Sequence, residues 1–103
     1  FKQNIFPIQN ALQKVMQLQG VTFDWKKSEF PNRTFSDQKT IGFIAQDVEK
    51  VLPEVVQTEK TTEGYKAVQY DKVVALLVEA IKEQQKEIDV LKQQIKQLKR
   101  DKK

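Results

Sequence analysis

The side chains that most often carry chemistry are largely missing from this sequence. Its 103 residues include no histidine and no cysteine. Histidine is the commonest metal ligand and the usual general base near neutral pH, so most enzyme classes drop out with it. Without cysteine there is no thiolate nucleophile and no disulfide. Any catalysis must rest on Lys, Asp, Glu, Ser or Tyr. Asp47 and Glu49 stand two apart, a spacing that turns them away from each other on a helix and reads as solvated charge. Ser36-Asp37 has no histidine to activate the hydroxyl and reads as a surface turn. Gly20, Gly42 and Gly64 are isolated from one another, so no glycine-rich phosphate cradle is present. Lys2, taken alone, is a disordered terminal lysine. No cofactor and no metal set is expected.

The elements that would position such residues follow from composition and pattern. Hydrophobic residues make up 39 % and charged residues 31 %, ordinary values for one domain with an exposed helix. No apolar run approaches a membrane span, and no signal-peptide pattern opens the chain. The first residue is Phe1 rather than Met, which is expected of a fragment or processed product. The net charge of +4 is localised: residues 1–81 carry ten basic and ten acidic groups, and the stretch from Lys82 onward carries eight and four. A solvated helix end is the preferred reading of that tail, and a nucleic-acid contact the weaker one.

PIQNALQKVMQLQG reads as a first helix, with Pro7 in its first turn, Gly20 in a left-handed position just beyond its end, and Ile8, Leu12, Val15 and Leu18 as its apolar stripe. VTFDW follows as a half-buried strand, with Val21, Phe23 and Trp25 on one face. Residues 26–40 are polar and turn-rich. Within them Phe30 and Phe35 either fold back onto the sheet or project to grip a partner. Gln46 to Leu52 is expected as a short helix ending before Pro53. Val55-Val56 and YKAVQY are expected to form a hairpin around TEKTTEG. The fold class is therefore α+β: a head over residues 1–72 with short helices and a small antiparallel sheet, then a C-terminal helix over 73–103.

That last helix carries the clearest pattern. Asp71 can cap it, and no proline or glycine interrupts it to Lys103. Val74, Ile81, Ile88 and Ile95 recur every seven residues, and Leu77, Gln84, Leu91 and Leu98 follow each by three. This is an a/d heptad with β-branched residues at a and leucine at d, broken by the polar Gln84. Val73, Val78 and Ala80 widen the stripe early on, so that part is expected to pack on the head. Beyond Gln84 the seam needs further copies of the chain. Glu87 at g can meet Lys92 at e of a parallel neighbour. Periodicity alone leaves dimer and trimer open.

The order FKQNI, ALQKVMQLQGVTFDW, IGFIAQDVEKVLPEVV, YKAVQYDKVVALLVEAIKEQQKEI resembles the endosialidase-type C-terminal intramolecular chaperone family over essentially the whole chain. That family ends phage tail spikes and fibres and related bacterial surface fibres. The resemblance implies a homotrimer that brings three chains together so that the upstream β-rich stalk can fold. It implies release afterwards by a serine–lysine dyad, leaving a virion tail fibre or a bacterial surface fibre. Lys2 matches the lysine, whose role would be general base, a role that needs a neutral amine and hence burial. The matching serine would lie four residues before Phe1, so the residues in hand hold half of the dyad. The resemblance further implies that Phe30, Arg33 and Phe35 sit on a loop over the stalk, and that the strand number is three. A permanent trimerising tip without cleavage is the alternative. The expected partners are the chain itself and its stalk, with no membrane.

Overall fold

A computed structural model of the chain describes residues 1–25, 39–61 and 63–102. They fall into two compact units: Phe1–Gln17 with Tyr70–Lys103, and Leu18–Gln69.

The first unit is built on one long helix, paired with a short one. The long helix, α3, runs over Tyr70–Asp101, 32 residues, or about 48 Å at the standard rise per residue. Asp71 lies in its first turn and Lys99 and Arg100 in its last, so the charges oppose the helix dipole at both ends. Asp71 is thus inside the helix and not ahead of it as a cap. The short helix, α1, covers Ala11–Gln17 and packs on α3. It begins later than Pro7 suggested because Asn10 adopts a left-handed backbone, φ 56°. Asparagine is among the few residues that tolerate this conformation, and it interrupts any helix arriving from Pro7. The helix ends at Gln17, and Gly20 does not take the left-handed form expected of it.

Burial in this unit is confined to Ala11, Val73, Leu76 and Ala80, with Leu76 1 % exposed. Val73 and Ala80 are thus covered as the widened stripe suggests, but Val78 is 50 % exposed. The reason is geometric. Residues 73, 76 and 80 lie on one flank of the helix at three- and four-residue spacing, and Val78 lies on another.

The second unit is α+β. Strand β1 (Val21–Phe23) pairs antiparallel with β2 (Thr40–Gly42), with Thr22 opposite Ile41. Val21 and Phe23 are half-buried and Thr22 is exposed, the alternation expected. Trp25 lies just beyond the strand and meets Phe23 edge-on, with ring centroids 5.0 Å apart. Its indole N–H donates to Thr40 Oγ1 at 3.1 Å.

Helix α2 (Ala45–Val51) and a 3₁₀ turn over Pro53–Val55 lead into β3 (Val56–Thr58), which pairs antiparallel with β4 (Lys66–Val68). Gly64 turns the chain between them at φ 60°. Val48, Leu52 and Val55 are the buried side chains of this unit. Two-stranded hairpins are marginal alone, and α2 packs on both β3 and β4. Glu49 of α2 accepts from Lys66 Nζ of β4 at 3.0 Å, the pair being about one-third exposed. Glu49 is therefore engaged in holding α2 to the hairpin, while Asp47 stays exposed.

Candidate functional site

The α1–α3 pairing depends on a contact that no local pattern announces. A seven-residue helix cannot nucleate and hold itself in water, and its first N–H groups have no partner within the helix. Glu83 supplies them from α3. Its Oε1 accepts from the Ala11 backbone N–H at 3.3 Å and its Oε2 from that of Leu12 at 2.5 Å. Both groups are partly buried. A carboxylate on two free N–H groups at the positive end of a helix joins charge-assisted hydrogen bonding to the dipole. Glu83 is thus a cap delivered across the unit, and with it α1 is fastened to the c and g flank of α3.

The other flank is left open. Val74, Leu77, Ile81, Ile88, Leu91, Ile95 and Leu98 are all exposed, Ile81 at 64 %. Every residue from Gln84 to Lys102 is exposed. The structure thus places the expected a/d residues, Gln84 among them, on one continuous face of α3. Fully burying a side chain of that size is worth about 1.5–3 kcal/mol, so seven such residues in a row form a surface fit to be covered by another molecule.

An open cleft of about 650 Å³ lies between α1 and α3, lined by Leu12, Gln13, Met16, Glu83, Lys86 and Glu87. Met16 is 76 % exposed there. No group of acidic side chains among the described residues could hold a metal ion. No described helix is long and apolar enough to cross a membrane.

Lys2 is exposed, on the irregular segment that precedes α1. The chain alone does not supply the burial that a neutral amine needs. Phe30, Arg33 and Phe35 lie outside the described residues. Sequence reasoning missed Glu83 and the exposed Met16. The signal that could have found Glu83 is an acidic side chain on the covered flank of α3, one turn beyond Ala80.

Residues 1–57 match the family described as chaperone of endosialidase, a peptidase family. Over 83 residues the chain is 40 % identical to the long tail fiber protein Gp37 of Enterobacteria phage K3, a match covering 79 % of this chain and 6 % of that protein. It is 32 % identical over 99 residues to the protein of the same name from Salmonella phage S16, covering 95 % of this chain and 13 % of the relative. The Gp37 of Enterobacteria phage M1 is 40 % identical over 83 residues, 32 % of its length. The chain therefore spans a minor part of the tail-fibre proteins it matches. It belongs to the chaperone of endosialidase family.

Proposed function

We propose that this chain is the C-terminal assembly domain of a phage tail fibre: a homotrimeric intramolecular chaperone for its own stalk. The observation that carries the reading is the uncovered a/d face from Val74 to Leu98 on a member of this chaperone family. A parallel bundle of three α3 helices buries that face. It also joins three C-termini, so that an encounter of three chains becomes a local search. Interchain β structure in a stalk is slow to nucleate, because loop-closure and docking entropy come before its contacts. The relatives named as long tail fiber proteins support the fibre as the context. Residues 1–72 then act as the head and residues 73–103 as the bundle, and Phe30, Arg33 and Phe35 bear on the stalk.

The finer part of the proposal is release. A serine four residues before Phe1 would attack the carbonyl carbon of the peptide bond just ahead of it, with the Lys2 amine taking the hydroxyl proton and returning it to the serine nitrogen as the C–N bond breaks. Water would then hydrolyse the ester to separate stalk from domain. Cutting away the assembling element would leave the stalk kinetically trapped. A permanent trimerising tip is the second reading, and the exposure of Lys2 is the observation that favours it.

The test is the natural gene extended upstream by a stretch of stalk, with Lys2 intact and as Lys2→Ala, each read by intact mass. The proposal expects two fragments from the parent and one from Lys2→Ala. Two intact, trimeric proteins would make Lys2 an ordinary lysine and the domain a permanent tip.

A further inference from the structure

The first ten residues of the chain are all exposed, Phe1, Ile5 and Phe6 included. They form neither helix nor strand, so neither burial nor a hydrogen-bond ladder sets their path. The path rests instead on residues whose backbones are restricted. Asn4 and Asn10 are left-handed, at φ 57° and 56°, and Pro7 between them has its φ fixed by its ring. The Gln9 side chain donates to the Pro7 carbonyl at 3.4 Å. Asn10 has an evident local task. It stands directly ahead of α1, and its carbonyl accepts from the Lys14 backbone N–H at 3.2 Å, opening the helical ladder. Asn4 adjoins no helix or strand, yet the chain bends there, two positions after Lys2.

We infer that Asn4 is a positioning residue for Lys2: its left-handed backbone sets the direction in which Lys2 and the residues before it leave α1. The inference rests on the release reaction proposed above and deepens it. In that reaction the Lys2 amine takes the proton of a serine five positions earlier. Five residues of extended chain span roughly 17 Å, more than one lysine side chain reaches. The segment ahead of Lys2 must therefore fold back, and where it arrives depends on the direction it starts from. α1 is the fixed point for that direction, since Glu83 fastens it to α3. Asn10, Pro7 and Asn4 carry the direction outward, and Asn4 is the last of them before Lys2. Its conformation is one that few L-residues tolerate and that β-branched residues resist most. Backbones held in sparsely populated regions gather at functional sites, and a misplacement of about 1 Å in a reacting pair can cost on the order of a hundredfold in rate.

The stalk-extended chain carries the test, with Asn4 intact, as Asn4→Gly and as Asn4→Val. Each is read as the rate at which fragments appear by intact mass. Glycine takes the left-handed form freely, so Asn4→Gly is expected to release within about threefold of the parent. Valine resists it, so Asn4→Val is expected to release about tenfold or more slowly. The same three proteins with Lys2→Ala added stay whole and report folding. Because the first ten residues are exposed, these are expected to share one oligomer mass and one unfolding temperature. A rate that falls together with the unfolding temperature would make Asn4 merely structural and overturn the assignment. Equal rates in all three would overturn it too, since the bend would then not matter. Equal loss in Asn4→Gly and Asn4→Val would place the requirement in the Asn4 side chain and overturn the backbone role. A parent that stays whole would remove the release reading itself, and the role of Asn4 with it.

Discussion

Glu83 shows how much of this unit hangs on one carboxylate. Replacing an N-terminal cap costs roughly 1 kcal/mol, and losing a hydrogen bond to a charged acceptor up to about 3. Glu83→Ala is therefore expected to lower stability by about 1–2 kcal/mol in chemical denaturation, with Glu83→Gln lying between it and the parent. Equal loss in both variants would mean that the charge contributes nothing. Leu76 is the largest fully buried side chain among the described residues, and Leu76→Ala is expected to cost about 2–5 kcal/mol by the same measurement. Glu83 was not legible in the sequence because the groups it caps lie 71 and 72 positions away, whereas capping patterns are local. Asn10 was missed for a related reason: a single left-handed residue overrides the helix-starting preference of Pro7 without changing the apolar spacing.

At the scale of elements, α3 was the most readable, because a heptad repeated over several turns is a redundant signal in which one polar residue, Gln84, does not obscure the period. The hairpin of β3 and β4 was legible from its flanking strand patterns and its turn residues. Strand β2 is not legible in the sequence, since three residues are too few for alternation to declare itself. The covered flank of α3 was half legible: Val73 and Ala80 are buried as expected, but helical geometry puts Val78 elsewhere. The a/d face makes its own prediction. Ile88→Lys places a charge in the middle of the seam, and the concentration for half-dissociation is expected to rise about a hundredfold or more, equivalent to roughly 2.7 kcal/mol. The second unit, with its own core of Val48, Leu52 and Val55, is expected to keep its near-ultraviolet circular dichroism. An assembly unmoved by Ile88→Lys would place the contact on another face.

For the whole molecule, the proposed bundle makes Gln84 a polar layer, a device that lowers stability in exchange for one register. Gln84→Ile is expected to raise the unfolding temperature and to broaden the distribution of oligomers in native mass spectrometry. A single unchanged species would assign register to the head instead. The family and the α+β class could be read from residue order, but the site could not be completed from one chain: Lys2 stands exposed, and the seam has no partner within its own fold. The proposed assembly covers that seam with copies of the same chain. Sedimentation equilibrium of this 12.0 kDa chain at micromolar concentration tests that claim most directly. The account predicts a single species of three times the chain mass. A species of one chain mass across the whole concentration range would contradict it.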